Sequence, residues 1–435
     1  MVKTLKVLVI GSGGREHAII AALNKSPKIT EIHSAPGNGG IATLNTKTPV
    51  VCHDVKATDI EKIVELAKEI AADWVFVAPD DPLVLGAVDA LNQAGFKTFG
   101  PRKNAAILEG SKKFSKDFMK RNKIPTAGYE AFTEYEKAVA YIRDFYSAAT
   151  PDSTQTMVIK CDGLALGKGV IIAQNEEEAV AAVQSMMLES KFGDSGKQIV
   201  IEEFLEGVEV TVLAFTDGKT VVPMPPSTDH KRALDGDKGL NTGGMGVVAP
   251  VPYYTSEIAK ECMETIFLPT IEGLANENRP FKGCLYFGLM LTESGVKVIE
   301  YNCRFGDPET QAILPLLESD LFDIVEAIWE ERLDGASVSF SDKKSACVVM
   351  ASGGYPEKYS VGYPITGLEN VQNAYVFHAG TKVENDKLLT AGGRVLAVTA
   401  VSDSLEAALD IAYDAVDKIK FKDLHYRKDI GKKAK

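Results

Sequence analysis

From Leu5 to Ile10 the chain is an apolar run that gives way to a turn at Gly11–Gly14, and then to Ala18, Ile19, Ala22 and Leu23 at the spacing of one helix face. Trp74–Ala78 reads as a second buried strand, preceded by an amphipathic helix through Ile60, Ile63, Val64 and Ala67. With the turn residues Pro36–Gly40 and the segment Phe96–Gly100, this alternation predicts a doubly wound parallel sheet ending near Pro101. A charged helix from Ser111 then leads to Ile124 and Pro125. Met157–Lys160 and Gly169–Ile172 flank a glycine loop as an antiparallel pair, small and glycine-rich as a mobile lid would be. Strands follow at Gln198–Leu205 and Glu209–Phe215, and Leu285–Leu291 with Lys297–Tyr301 make a hairpin around Glu293, Ser294 and Gly295. After a helix ending near Glu331, short strands at Ala346–Ala351, Ala374–Phe377 and Arg394–Ala400 precede a helix through Leu405, Leu409, Ala412, Val416 and Ile419. Asp403 is its expected cap, in a capping box with Glu406.

Composition narrows the picture. A chain of 435 residues, 45% hydrophobic, can bury several cores, and three or four lobes are expected. A formal net charge of -12 argues against a broad nucleic-acid face, which needs clustered Lys and Arg. The six cysteines are scattered without a CxxC pair, which points to reduced thiols rather than a disulfide framework or zinc. The first apolar run is too short for a signal peptide and no segment is long enough to span a membrane, so a soluble, cytoplasmic protein is expected.

Four motifs carry candidate chemistry. Gly11, Ser12, Gly13, Gly14, Arg15 and Glu16 stand at a strand-to-helix turn, where outward N–H groups and the helix dipole favour a phosphate. A dinucleotide fingerprint is a poor match, because Glu16 replaces the third glycine and His33–Pro36 offers no carboxylate for a ribose. Lys160 to Gly169 is a glycine-punctuated loop ending a strand, able to neutralise and enclose a phosphoryl group, but without Walker A spacing. An ordinary hairpin with a solvated Lys168 would carry the same residues. Val200–Gly207 with Glu209 is an apolar strand ending in carboxylates, which can offer backbone groups to an adenine edge and a side chain to ribose or metal. The most specific motif is Glu300–Thr310. Glu300 and Asn302 lie two apart on a strand and share a face, where they can hold magnesium beside phosphate oxygens. Arg304 has the same parity and can clamp a substrate carboxylate, the plainer alternative being a surface salt bridge from Glu300 to Arg304. Asp307 and Glu309 are candidates for fixing the turn. Asp229, His230, Lys231 and Arg232 gather charge beside the glycine-rich Asn241–Gly246.

Taken in order, these stretches resemble the phosphoribosylamine-glycine ligases (glycinamide ribonucleotide synthetases), a purine-biosynthesis family with the ATP-grasp fold. The resemblance is carried by Val7–His17, Pro36–Gly40, Leu108–Phe118, Val158–Val170, Val200–Gly207, Asp229–Pro252, Val298–Gln311 and Tyr426–Gly431. It implies an α/β and α+β multidomain chain. A Rossmann-like substrate domain would occupy 1–102, an ATP-grasp domain 103–330 with its lid at about 124–195 and its central catalytic part at 196–330, and a small α/β domain 331–435. It also implies ATP with magnesium or manganese. Lys112 and Lys160 would lie near the phosphates with Gly163, Gly167 and Lys168 of the lid loop, Lys116 being a substitute for Lys112. Glu202, Phe204 or Leu205 would lie near adenine, Glu209 would face the ribose, and Glu300 with Asn302 would bind the metal. The expected catalytic residues are Arg304, Lys160 and Asp229, with Arg304 on glycine's carboxylate and Asp229 on its amine. Gly13, Gly14, Arg15, Glu16 and Asn38 would hold the sugar phosphate, and Gly306 completes the substrate set.

In this family glycine is phosphorylated to glycyl phosphate, which the amine of 5-phosphoribosylamine attacks to give the amide. The expected partners are those small molecules, with no nucleic acid and no membrane, in a monomer or weak homodimer carrying a single activity. Leu166, the Val77–Pro82 stretch VAPDDP and an apparent insertion at Thr150–Gln155 depart from the family pattern. The competing readings are another ATP-grasp ligase using a different acid or amine, a non-catalytic nucleotide-binding regulator and a dehydrogenase.

Overall fold

The parallel sheet forms where the buried runs predict it. In the computed structural model, which describes residues 4–44, 46–148, 155–164, 169–189 and 193–432, β1 (Leu5–Gly11) leads through α1 (Gly14–Leu23) to β2 (Ile29–Pro36), α2 (Gly39–Ala42) and β3 (Val50–Cys52). Next come α3 (Ile60–Glu69), β4 (Trp74–Val77), α4 (Asp80–Leu85), α5 (Ala87–Gln93) and β5 (Lys97–Phe99). The five strands pair in parallel in the order β3-β2-β1-β4-β5. The apolar side chains of β1 and β4 are buried on both faces, as a parallel sheet covered on each side requires.

The helices α6 (Lys103–Gly110) and α7 (Lys112–Arg121) connect this sheet to the rest of the chain. Ser111 starts α7 by accepting a hydrogen bond from Phe114 N at 3.0 Å, a side-chain N-cap that aims the turn at Lys112 into the cleft. A small antiparallel sheet follows, built from β6 (Tyr129–Phe132), α8 (Tyr135–Ala148), β7 (Met157–Cys161), β8 (Val170–Ala173), α9 (Glu176–Met187) and β9 (Ile199–Glu203) in the order β6-β9-β7-β8. It has its own core around Ile142, Ile159, Val183 and Ile201, separate from the two larger cores among the described residues.

The central sheet runs β11-β10-β16-β17, from β10 (Val208–Thr216), β11 (Val221–Pro223), β16 (Gly283–Thr292) and β17 (Gly295–Asn302). Between β11 and β16 lie β12 (Thr228–Asp229), β13 (Arg232–Leu234), β14 (Lys238–Asn241), β15 (Gly246–Ala249), α10 (Ser256–Cys262) and α11 (Leu268–Asn276). After β17 come α12 (Glu309–Ile313), α13 (Leu321–Trp329), β18 (Lys344–Ser352), β19 (Tyr375–His378), β20 (Thr381–Glu384), β21 (Lys387–Thr390), β22 (Arg394–Ser402), α14 (Leu405–Lys418) and β23 (Leu424–His425). The sheet β12-β15-β18-β22-β19, with β23 on β18, joins strands from both sides of residue 330. The cap of α14 is Ser404, not Asp403: its hydroxyl accepts from Ala407 N at 3.1 Å, so the helix starts one residue later than its charge pattern suggests.

Candidate active site

One end of the cleft gathers ammonium groups around a buried carboxylate. Glu202, one residue before the end of β9, has Lys116 Nζ 2.8 Å and Lys160 Nζ 3.0 Å from its carboxylate, and all three side chains are almost fully buried. Burial alone would raise the Glu202 pKa, but Lys160 and Lys116 hold it below its ordinary value. Burial lowers Lys116 to about 8, with Glu202 resisting the fall. Lys116 also donates to Thr126 Oγ1 at 2.8 Å. Lys112 Nζ donates to Gly163 O at 2.7 Å, and Asp162 takes Lys113 N at 3.0 Å, so the turn after β7 rests on the start of α7. Gly163 needs its positive φ of 107°, and a Cβ there would lie 2.9 Å from Ser195 Oγ. Gly167 and Lys168, with Leu166 and residues 150–154 of the apparent insertion, lie outside the described residues.

Glu202, expected beside adenine, meets two ammonium groups in this structure. Its carboxylate is the counter-charge between two lysines, in a strand flanked on both sides by β6 and β7. Phe204 and Leu205, half-buried and buried, lie just past the end of that strand, so their backbone groups are outside its ladder. Glu209 is exposed on β10.

Glu300 and Asn302 occupy the other wall, on β17 opposite Gly288 and Tyr286 of β16. Burial works against ionisation of Glu300, but Lys231, Lys160, Lys112 and Arg304 hold its pKa below the ordinary value. A Cβ at Gly288 would come within 3.2 Å of Glu300 Cγ, so glycine keeps the space beside the carboxylate open. An ionised carboxylate and a carboxamide oxygen are hard donors that fit magnesium or manganese. Among the described residues no group of three or more His, Cys, Asp or Glu could hold a metal by itself.

Arg304 does not pair with Glu300. Its Nη2 lies 2.9 Å from Glu109 Oε1, 3.4 Å from Asp80 Oδ2 and 3.3 Å from Asn302 Oδ1. Glu109 Oε2 also accepts from Cys303 N at 2.6 Å, which fixes the chain just before Arg304. Phe305 anchors the other side, with ring centroids 6.2 Å from Phe76 and 6.0 Å from Phe99. Arg304 Nε is buried and has no acceptor among the described residues.

Facing this loop, Asp229 Oδ2 lies 3.4 Å from Lys231 Nζ, while Asp229 Oδ1 is buried without a donor among the described residues. Burial resists the charge on Lys231, but Tyr286, Asp229, Glu209 and Glu309 raise its pKa well above normal. Burial and the charge of Asp229 push Glu309 upward, and burial does the same to Asp229. Gly306 is required beside Glu309, because a Cβ would approach Glu309 Oε2 to 2.3 Å. Arg394 of β22 donates to Gly243 O at 2.7 Å and Asp307 O at 2.8 Å, tying the glycine-rich loop to the Arg304 loop.

Sequence reasoning assigned no role to Asp80, Glu109 or Arg394, and none specific to Lys231. The signal for Asp80 was its place in the unusual VAPDDP stretch; Glu109 carried none.

The expected phosphate cradle at α1 is filled from within. Gly13 N donates to Glu16 Oε2, Arg15 Nε donates to Glu16 Oε1 at 2.6 Å, and the Asp307 carboxylate accepts a backbone hydrogen bond from Arg15. The positive end of the helix has thus recruited carboxylates of the chain itself. Gly14 leaves room for Gln311, whose Nε2 would lie 2.5 Å from a Cβ there. Asn38 has both amide hydrogens engaged, on Ser12 O at 2.9 Å and His378 O at 2.8 Å, and its oxygen caps α2. Glu16 and Asn38, expected at a sugar phosphate, hold the turn itself in this structure.

Family models for phosphoribosylglycinamide synthetase match its N domain at residues 5–109, its ATP-grasp (A) domain at 110–310 and its C domain at 345–433. The phosphoribosylamine–glycine ligase of Caldanaerobacter subterraneus subsp. tengcongensis is 44% identical over 427 residues, covering 98% of this chain and 99% of the relative. The bifunctional purine biosynthetic protein PUR2,5 of Pichia angusta is 48% identical over 435 residues, 99% of this chain and 54% of that protein. The chain thus spans about half the length of such bifunctional relatives. Among solved structures, phosphoribosylamine–glycine ligase from Thermotoga maritima superposes with a TM-score of 0.83 at 33% identity, covering 98% of this chain and 100% of the other. The biotin carboxylase domain of Hydrogenobacter thermophilus 2-oxoglutarate carboxylase, at 0.71 and 17% over 97% and 91% of the two chains, shares the fold.

Proposed function

The chain belongs to the phosphoribosylglycinamide synthetase family, and from that premise we propose that it joins glycine to 5-phosphoribosylamine with ATP, giving glycinamide ribonucleotide, ADP and phosphate. The observation that carries this reading is a complementary pair of orphans, a buried donor at Arg304 Nε and a buried acceptor at Asp229 Oδ1. Glu309 lies in the field of both groups. Leaving each unmatched costs roughly 1–3 kcal/mol, which a small zwitterion with one carboxylate and one ammonium relieves at both ends. Glycine is such a molecule.

In the proposed sequence a glycine carboxylate oxygen attacks the γ-phosphorus of ATP, the bond to the β–γ bridging oxygen breaks, and ADP leaves. The amine of 5-phosphoribosylamine then attacks the carbonyl carbon of glycyl phosphate, loses a proton and expels phosphate. Lys112 and Lys160 supply positive charge at the phosphates, with Lys116 behind them, and Glu202 keeps the lysines in place. Phe204, Leu205 and Glu209 are the residues proposed to meet the nucleoside. Glu300 and Asn302 would hold the divalent ion, which supplies further charge beside the phosphate oxygens when bound. The six free thiols, five of them buried, suit a reducing compartment such as the cytoplasm.

Glycine labelled with oxygen-18 in its carboxylate tests the scheme. Label is expected in the released phosphate, in a reaction needing both glycine and 5-phosphoribosylamine. ADP release indifferent to glycine refutes it.

A further inference from the structure

The stretch Tyr426–Gly431 grips the β13–β14 hairpin, whose first strand follows directly on Asp229 and Lys231. Arg427, only 1% exposed, donates to Asp429 Oδ1 at 2.7 Å and Asp429 Oδ2 at 2.8 Å as a fork. Its Nη1 reaches Asp237 Oδ1 at 2.8 Å and Arg232 O at 3.1 Å, both on the β13–β14 hairpin. Asp429 Oδ2 accepts from Gly236 N at 2.8 Å in the hairpin turn, and Asp235 Oδ1 accepts from Lys428 N at 2.8 Å. At the base, Gly431 N donates to His230 Nε2 at 3.1 Å, while His230 Nδ1 lies 3.1 Å from Gly246 O. Asp229 and Lys231 flank that histidine, and Thr242 returns to Lys231 O at 2.8 Å.

The hairpin strands themselves are short and their surface is open, with Leu234 48% and Leu240 52% exposed. A two-stranded ribbon of this size is marginal by itself, so its shape depends on what holds it. Its side-chain anchors run to the segment 425–431, and Arg427 is the one cation buried at their centre among the described residues.

We propose that Arg427 is a positioning residue: it locks the hairpin so that Asp229 and Lys231 face the amino-acid substrate. The proposal rests on the reaction given above. It assigns the Tyr426–Gly431 stretch a task in acid recognition, although none of its side chains touches the reacting atoms.

The test compares Arg427→Ala and Arg427→Lys with the wild-type chain in two ways. In steady-state kinetics the Ala variant should raise the KM for glycine by roughly 10- to 100-fold, the scale of one or two lost charge-assisted hydrogen bonds, with the KM for ATP within about twofold. The Lys variant, which keeps the charge without the fork, should fall between. Amide hydrogen exchange should quicken across residues 229–246 and stay unchanged in β16 and β17. A folded Ala variant whose glycine and ATP constants move together, or whose exchange matches wild type, overturns the proposal, since a merely structural role would lower melting temperature without splitting the constants. If Arg427→Ala does not fold, Asp237→Asn is read by the same criteria. A wild-type chain that turns over no glycine sinks the reaction instead, and the exchange comparison, which needs no substrate, still decides the clamp.

Discussion

Replacing Arg304 by lysine separates its two tasks. The guanidinium bridges Glu109 at 2.9 Å and Asp80 at 3.4 Å with one nitrogen, while Nε remains without an acceptor. A lysine ammonium can stay with the two carboxylates, but it cannot at the same time present a second donor in the Nε direction. Removing the charge altogether would strand Glu109 and Asp80 and destabilise the fold by about 3–5 kcal/mol, which is why lysine rather than alanine is the informative change. The loss at the substrate is then one charge-assisted hydrogen bond, about 1.5–3 kcal/mol, or roughly 10- to 150-fold in the glycine requirement. ATP contacts the Lys112, Lys160 and Glu300 side of the cleft in our reading, so its half-saturation should move less than about threefold. The assay is coupled ADP release, titrating glycine at saturating ATP and amine, then ATP at saturating glycine. Equal shifts for the two substrates, or no shift for glycine, would refute the assignment of Arg304 to the carboxylate.

Three further outcomes are expected. Glu300→Gln should lower metal-dependent turnover on the order of 100-fold, since a lost divalent ion forfeits several kcal/mol of charge stabilisation; a magnesium titration matching wild type would remove Glu300 as a ligand. Glu202→Ala leaves Lys116 and Lys160 buried without their carboxylate and should lower stability by about 3–5 kcal/mol in urea unfolding, whereas an unchanged midpoint would deny its clamping role. Acid stability should depend on His17 and His378, which burial holds at about 3 and about 4 against an ordinary 6.5. Both stay neutral in the folded chain while the unfolded chain takes up protons below pH 6.5, so each removes about 2 kcal/mol of stability by pH 5, a loss absent above 6.5 that grows towards pH 3–4. His17→Asn, which keeps an acceptor for His378 N–H, should reduce the fall between pH 7 and pH 5; a fall of undiminished size contradicts the argument.

Much of the architecture was legible because it is written in local pattern. The run at Leu5–Ile10, the strand from Met157 and the hairpin at β16 and β17 each bury apolar residues at strand spacing, and period alone identifies them. The parity that sets Glu300 and Asn302 on one face is equally local. Asp403 was misjudged because Ser404 is an equally good cap one residue on, and short-range preference cannot choose between them.

Partner choice was another matter. Arg304 finds Glu109 and Asp80 at separations of 195 and 224 residues, and no local spacing reports such a meeting. Glu202 reads as an open strand end until α7 brings Lys116 against it. The glycine turn at α1 reads as a vacant anion seat, and only the fold reveals that Glu16 bends back and Asp307 arrives from almost 300 residues away. By itself the sequence determined where strands, helices and chemically capable side chains lie, because backbone periodicity is a short-range property. The tertiary structure alone decided which charges are left unmatched, because burial and the pairing of distant side chains depend on how whole elements pack.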